Sequence, residues 1–232
     1  MAIVTRESKG SALTHAELDN NFNELDKLPN GKVFPKEQGI GIKLDVDTPA
    51  FGWHDLTGNV HVYGDVGDAT RAMYRGNIKA TQFQENESGY VDFHMPHDYV
   101  MGTPIYIHAH WSHNSTEVTG GSCTWGFECM YAKGHGQAPF ATPVNIAVIQ
   151  NADTTQYMHM IAETVASDDG GSAVTLNTND LEVDGLIQCR VYLDSNDLVS
   201  SGAPVNPFLH FVDIHYQSTG LATKNKAPDF WA

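Results

Sequence analysis

Residues 105–112 read IYIHAHWS, and this stretch decides the fold because apolar and polar side chains alternate along its whole length. Successive side chains of a β-strand point to opposite faces, so the pattern predicts a strand with two different faces. One face would carry Ile105, Ile107, Ala109 and Trp111, and the other Tyr106, His108, His110 and Ser112. The stretch therefore predicts a β-sheet with one face in the core and one face rich in histidine.

Similar alternation continues through the chain after residue 75. Further strands are predicted at residues 78–84, 90–95, 122–132, 143–150, 156–166, 173–177, 185–194 and 207–217. Turns rich in Gly or Asn-Asp separate them, as at Gly120 and Gly121, which is typical of antiparallel strands. We therefore predict a mainly β protein, an antiparallel β-sandwich of jelly-roll type, preceded by a short N-terminal α-helix.

The predicted helix lies in residues 9–28, KGSALTHAELDNNFNELDKL. Thr14 and Glu17 have the spacing of a capping box, in which the two side chains satisfy free N–H groups of the first turn. Leu13 and Leu18 have the positions of a hydrophobic staple. These signals predict a helix that begins close to Thr14.

One narrow apolar seam runs along this helix, formed by Leu18, Phe22 and Leu25. A helix of about a dozen residues is marginal by itself in water, so the seam needs a partner. Two alternatives remain open: the helix folds back on its own domain, or it meets copies of itself or a larger assembly. The sequence then divides into an attachment or trimerisation segment at 1–31, an irregular covering region at 32–75 and a β-sandwich domain at 76–232.

Residues 8–25, SKGSALTHAELDNNFNEL, resemble the N-terminal segment of many tail-fibre and other virion proteins of tailed bacteriophages. The matching positions are Lys9, Gly10, Ser11, Leu13, Thr14, Ala16, Glu17, Asp19, Asn21 and Phe22. Residues 93–111, 125–135 and 211–228 are similar to a family of uncharacterised phage structural proteins. The resemblance implies a protein of the virion, and by analogy with phage fibres and spikes a homotrimer.

Composition excludes several classes of partner. The formal net charge of −15 and the lack of a basic stripe argue against binding to nucleic acid. No apolar run is long enough for a membrane span, and the N-terminus lacks the layout of a signal peptide. The cysteines Cys123, Cys129 and Cys189 occupy apolar positions, so we expect reduced core residues, as suits assembly in the bacterial cytoplasm.

Histidines form the strongest candidate site. His108 and His110 share one strand face, Asp213 and His215 share another, and His94 and His97 could join them. The imidazoles could form hydrogen bonds within a polar face, hold a structural metal ion through His108, His110 and His215, or form a cupin-like catalytic metal centre. The cupin motif itself is absent, as are other enzyme motifs, so we expect no enzyme and no cofactor beyond a candidate structural metal.

Tryptophans raise the alternative of a carbohydrate or host-receptor binding module at a fibre tip. Trp111 and Trp125 alternate with apolar neighbours and are expected in the core, whereas Trp53 and Trp231 are candidate glycan contacts. The principal prediction is a structural component of the virion: a short trimeric appendage, as tail fibre or spike, collar or head decoration. Its partners would be copies of itself and other virion proteins.

Overall fold

The computed structural model describes residues 9–26, 32–35, 42–45 and 51–230. The chain forms two compact units, Met1–Gly52 and Trp53–Ala232. The first unit contains helix α1 (His15–Asp26) and the antiparallel strands β1 (Lys32–Pro35) and β2 (Ile42–Asp45).

Helix α1 begins with the predicted capping box. The backbone N–H of Thr14 donates to Oε2 of Glu17 at 2.7 Å, and the N–H of Glu17 donates to Oγ1 of Thr14 at 3.3 Å. A hydrogen bond from Lys9, followed by those from Thr14, lowers the pKa of Glu17 to about 2. Leu18 is 38% exposed. Of the predicted attachment residues, the side chains of Phe22 and Leu25 lie outside the described residues, and the contact between Leu13 and Leu18 stays a prediction.

The second unit is built almost entirely of strands. Its longer strands are β3 (Gly52–Gly58), β4 (Thr70–Arg75), β5 (Ile78–Gln82), β6 (Ser88–His94), β7 (Tyr106–Ser112), β8 (Ser122–Ala132), β9 (Val144–Asn151), β10 (Met160–Val165), β13 (Leu186–Asn196) and β16 (Phe208–Ser218). Its short elements are β11 (Ser167–Asp168), β12 (Leu176–Asn177), β14 (Val199–Ser200), β15 (Ala203–Pro204) and a 3₁₀ turn (Thr178–Asp180).

The long strands form two antiparallel sheets. The larger sheet has the order β10-β7-β16-β5-β4, with β3 also pairing β16, and the smaller has the order β6-β13-β8-β9. The chain crosses repeatedly from one sheet to the other, with β5, β7, β10 and β16 in the larger sheet and β6, β13 and the adjacent pair β8 and β9 in the smaller. This order is that of a jelly roll, so the predicted fold class is confirmed.

The core fills the space between the two sheets. Trp111 of β7 and Trp125 of β8 are fully buried, with ring centroids 6.1 Å apart, as predicted for both. Phe83 packs edge-on against Trp125 at 5.4 Å. The buried indole N–H of Trp111 donates to Oε1 of Gln150 at 2.6 Å, which satisfies its only polar atom.

In the region predicted as an irregular cover, residues 32–75, the described residues include strands β1 to β4, so that prediction is wrong for the strand residues. Strands β3 and β4 extend the larger sheet. Their side chains are mostly exposed or half-buried, so no alternation of apolar residues marks them in the sequence. The boundary between the two compact units lies at Gly52, inside the region predicted as a cover.

The expectation that all cysteines are reduced is wrong. Cys129 of β8 and Cys189 of β13 lie directly opposite each other and form a disulfide. Both are buried in the core, while Cys123 is buried and free. The apolar positions of the cysteines do not reveal that β8 and β13 are neighbouring strands.

Candidate functional site

The outer face of the larger sheet carries a cluster of histidines and carboxylates. His108 and His110 of β7 point to this face, as the alternation of residues 105–112 predicts, yet they are only 2% and 7% exposed. Strand β10 places Glu163 directly opposite His108, and β16 places Asp213 opposite it on the other side. Antiparallel pairing therefore puts one imidazole between two carboxylates.

His108 approaches both carboxylates, each with a different ring nitrogen. Its Nε2 lies 2.6 Å from Oε2 of Glu163, a hydrogen-bond distance. Its Nδ1 lies 3.3 Å from Oδ1 of Asp213, but this buried nitrogen makes no hydrogen bond. Burial alone would lower the pKa of His108, but the carboxylates of Asp213 and Glu163 outweigh it and raise that pKa.

His110 reaches the same oxygen of Asp213. Its Nε2 lies 3.1 Å from Oδ1 of Asp213, and its Nδ1 lies 2.9 Å from Nε2 of His159. The ring of Phe211 stacks on it, with centroids 4.0 Å apart. Burial alone would raise the pKa of Asp213, but the imidazoles of His108 and His110 hold it well below its usual range. Two buried imidazoles thus converge on one carboxylate oxygen.

His215, the third predicted metal ligand, lies beside this group. Its ring centroid is 4.0 Å from that of His108. Its Nε2 contacts Oδ1 of Asp55 on β3, and its Nδ1 lies 4.0 Å from Oε2 of Glu163. The structure therefore brings His108, His110 and His215 together on one face.

The position of Phe211 depends on an irregularity in β16. The register shifts between Leu209, which pairs with Trp111, and Phe211, which pairs with His110. The residue between them, His210, is extra to the ladder, as in a β-bulge. Because of this shift, Leu209 faces the core while Phe211 and the residues that alternate with it face outwards.

The sequence prediction missed Glu163, Asp55 and His159. The alternation in β10 could have indicated an outward Glu163, since Met160 and Ala162 are buried and Glu163 is not. Asp55 lies on β3, which shows no apolar alternation. No signal in the sequence shows which strands lie beside β7.

A second group surrounds Asp184, where three histidines meet one carboxylate. Nε2 of His97 and Nε2 of His135 each lie 2.8 Å from one of its oxygens, and Nε2 of His94 lies 3.5 Å away. Burial alone would raise the pKa of Asp184, but the hydrogen bond from His135 and the charges of His97 and His94 lower it. The predicted grouping of His94 and His97 with Asp213 is wrong, because β6 belongs to the smaller sheet and β16 to the larger.

The cluster on the larger sheet has the donor atoms of a metal site. Three subsets hold their donor atoms within 4.8 Å of one another: His108, Glu163 and His215; His108, His110 and Asp213; and Asp55, Asp213 and His215. Imidazole nitrogen and carboxylate oxygen are donors that divalent transition metals accept. The face can therefore hold either an ion or a network of hydrogen bonds.

A groove of about 340 Å³ lies on the outer face of the smaller sheet. Tyr63, which is 71% exposed, and Tyr90 line it with ring centroids 5.5 Å apart. Nε of Arg190 donates to Oε2 of Glu128 at 2.8 Å, and its guanidinium lies 4.3 Å from the ring centroid of Tyr192. These contacts hold a guanidinium group beside aromatic rings. The sequence analysis missed this groove because Tyr63 lies outside the strands.

Trp53, one of the two predicted glycan contacts, lies on the other sheet. It is 48% exposed, and its ring meets that of Tyr106 edge-on at 5.5 Å. Together with Glu163 and His215 these two rings line a depression of about 390 Å³. Trp231, the other predicted contact, lies outside the described residues.

The fold and these two faces define a jelly-roll β-sandwich protein with a histidine–carboxylate cluster on one sheet and a tyrosine groove on the other. No helix in the part of the chain that the structure describes is both long and apolar enough to span a membrane. No protein-family model matches the sequence, and no curated protein matches it.

Several solved structures are similar to this chain at a low level. One is the xylanase 10B CBM22-1–GH10 structure of Clostridium thermocellum, with 12% identity and a TM-score of 0.34 over 70% of this chain and 26% of that chain. A second is the xylan-binding module CBM15, with 9% identity and a TM-score of 0.30 over 72% of this chain and 92% of that chain. A third is CBM35 from Cellvibrio japonicus Abf62, with 9% identity and a TM-score of 0.30 over 72% of this chain and 98% of that chain. This chain spans about a quarter of the xylanase chain. At these scores the likenesses carry no argument about function.

Proposed function

We propose that this chain is a structural, non-catalytic component of a tailed-phage virion, a short trimeric appendage that is attached through its N-terminal segment. The observation that carries the proposal is the helix α1. The phage-like segment of residues 8–25 includes the start and most of this helix, and Thr14 and Glu17, both at matching positions, form its capping box. Assembly would take place in the host cytoplasm, with copies of this chain and other virion proteins as partners.

The division of the chain supports separate roles for attachment and display. Among the described residues, the core of the sandwich is formed by strands and connecting loops of the second unit, from Ala69 to Phe230, with Leu56, Val60 and Val62 packed against it. Helix α1 has 12 residues, too few for stability by itself in water, and Leu18 on its seam is exposed. Helices that meet around a three-fold axis would bury such a seam, and homo-oligomers with closed symmetry are the rule among assemblies.

Incorporation into particles tests this proposal. A chain without residues 1–31 is expected to remain folded and soluble but to be missing from purified particles. A double substitution, Leu18→Asp with Phe22→Asp, should have the same effect. The control is His15→Ala, on the same helix but outside both the seam and the matched positions. Particle content is measured by quantitative mass spectrometry, and the oligomer by sedimentation equilibrium. Wild-type incorporation of the truncated chain, or a monomeric full-length chain, would overturn the proposal.

A second candidate function, glycan binding, is favoured by the groove on the smaller sheet. Sugars stack on aromatic rings and form hydrogen bonds to planar polar groups, and such sites are concave with few, well-placed polar side chains. Tyr63 and Tyr90 provide the rings, while Arg190 and Glu128 provide a fixed pair of polar groups. The groove itself supports this function, and the likeness to carbohydrate-binding modules does not.

A glycan array with the full-length chain, followed by calorimetry on each hit, tests the second candidate. Tyr63→Ala and Tyr90→Ala should each weaken binding by about tenfold or more, because each removes one stacking surface. Trp53→Ala, an exposed aromatic on the other sheet, is the control and should leave the affinity unchanged. An array without hits, or equal losses in all three variants, would contradict a glycan site in the groove.

A further inference from the structure

We propose that His108 Nδ1, His110 Nε2 and Asp213 Oδ1 bind one divalent transition-metal ion on the outer face of the larger sheet. The site is additional to the proposed virion role, which does not require it. All three donors come from the middle of the neighbouring strands β7 and β16. Their positions are therefore fixed by the hydrogen-bond ladder of the sheet.

The distances between the donor atoms fit a single ion. Asp213 Oδ1 lies 3.3 Å from His108 Nδ1 and 3.1 Å from His110 Nε2. Zinc–ligand bonds of roughly 2.0–2.2 Å in tetrahedral geometry separate two ligand atoms by about 3.3 Å. Octahedral geometry with the same bonds gives about 3.0 Å. One ligand atom from each of the three residues lies within 4.8 Å of the other two, a span that a single ion can bridge.

The contacts of His108 support the same assignment. Its Nε2 lies 2.6 Å from Oε2 of Glu163, so Nδ1 is the ring nitrogen that faces Asp213. That buried nitrogen makes no hydrogen bond, although a carboxylate oxygen lies 3.3 Å from it. A cation between Nδ1 of His108 and Oδ1 of Asp213 would take both atoms as ligands.

Both imidazoles also have the supporting contacts that ligand histidines show. Metal-binding histidines usually donate their other ring N–H to a carboxylate, a carbonyl or water, which fixes the tautomer and the ring. For His108 this partner is Glu163, at 2.6 Å. For His110 the corresponding contact is to an imidazole nitrogen instead, Nε2 of His159, at 2.9 Å.

Geometry also separates this set from the one that includes His215. In that set, His108 Nε2 and Glu163 Oε2 would both be ligands, but they lie 2.6 Å apart. Such a separation is shorter than two ligands of one ion allow and suits a hydrogen bond. His215 itself contacts Asp55 through Nε2. Asp213 therefore takes the place of His215, which the sequence predicts as a ligand.

Two nitrogen donors and one carboxylate specify the class of ion. Imidazole suits zinc, iron, copper and nickel, whereas calcium and magnesium take oxygen ligands. The site should thus bind Zn²⁺ and not Ca²⁺. The remaining coordination positions would be filled by water, since no further donor is required of the chain.

The full-length chain, treated with a chelator and dialysed, is titrated with ZnCl₂ by calorimetry, and bound zinc is counted by elemental analysis. We expect one zinc ion per chain and no binding of CaCl₂. Asp213→Asn and His110→Gln should each weaken zinc binding by about 100-fold or more. Glu163→Gln should keep the stoichiometry and weaken binding by about 10- to 100-fold, because it supports a ligand without being one.

Two controls make the outcome decisive. His215→Gln removes the alternative ligand, and Asp184→Asn removes the carboxylate of the other histidine group, and each should change zinc affinity by less than about threefold. Circular dichroism of every variant without zinc shows whether it is folded, and His110→Gln provides a second test if Asp213→Asn is not. No bound zinc in the wild type, or a loss in His215→Gln equal to that in Asp213→Asn, would overturn the proposal.

Discussion

Reduction of the disulfide between Cys129 and Cys189 should destabilise the protein by an amount that the structure specifies. The bond joins directly opposed residues of β8 and β13, so it connects two central strands of the smaller sheet. Both sulfur atoms stay in the core after reduction, so the main change is the freedom of the unfolded chain. Replacement of both residues by Ala would add a packing loss to this effect.

The magnitude follows from the length of the closed loop. The two cysteines are 60 residues apart. In the loop-entropy model, a cross-link over this separation removes about 14 cal/mol/K from the unfolded chain, or about 4 kcal/mol at 25 °C. We therefore expect the free energy of unfolding to fall by about 4 kcal/mol on reduction. Disulfides often contribute less than the loop-entropy model gives, so this value is the upper end of the expected range.

Urea unfolding with and without dithiothreitol measures this difference. The starting protein is oxidised in a glutathione buffer, because thiols are kept reduced in the bacterial cytoplasm. Cys123→Ala removes the buried free thiol and is the matched control, since its stability should respond to dithiothreitol as the wild type does. A count of three reactive thiols in oxidised protein unfolded without reductant, in place of one, would refute the disulfide and with it the calculation.

Three further predictions concern the turns and the smaller polar sites. Gly121→Ala should lower the free energy of unfolding by about 1–3 kcal/mol more than Gly120→Ala does. Both glycines have a positive φ, but only at Gly121 would an added Cβ lie 2.4 Å from the carbonyl oxygen of Asp197. Equal urea midpoints for the two variants would contradict this. Because the pKa of Asp184 is lower in the folded protein, its contribution to stability is present above its ordinary pKa of 3.8 and lost as pH falls through the folded value. The difference in free energy of unfolding between the wild type and Asp184→Asn, measured by urea titration, should therefore become smaller from pH 6 to pH 3. A difference that does not change with pH would contradict this prediction. Thr14→Ala should destabilise the first turn of α1 by about 1 kcal/mol, because it removes the side chain that accepts from the N–H of Glu17. Hydrogen exchange of the first amides of α1, measured by mass spectrometry, should become about fivefold faster. Unchanged exchange would show that the capping box is not formed.

Alternation along single strands was enough to predict much of the sandwich. The pattern of residues 105–112 placed Trp111 in the core and His108 on the outer face, and both placements hold. The capping box at Thr14 was predictable for the same reason, since it depends on residues three positions apart. Properties that depend on near neighbours in the chain can be read from the sequence.

The order of strands within the sheets could not be derived in the same way. Glu163 and Cys189 each acquire their partner from a strand that is distant in sequence, and no periodicity contains that information. The edge strands β3 and β4 were missed because they bury little apolar surface. The candidate site was consequently predicted in its three histidines and in Asp213, whereas Glu163 and Asp55 emerged only from the pairing of strands.

The register shift at His210 allows the two halves of β16 to follow different phases of the same alternation. In an uninterrupted strand Leu209 and Asp213 would share a face, so burial of Leu209 in the core would also point Asp213 into the core. The extra residue uncouples them, and the apolar start of the strand and its polar second half can each be selected for its own surroundings. A chain with His210 deleted should keep both faces as they are, since the residues on either side already alternate in phase with β7. A length change of one residue in a central strand normally moves every following side chain to the other face. At this position the deletion would leave the faces unchanged and would remove the hydrogen bond between His210 and Ser112.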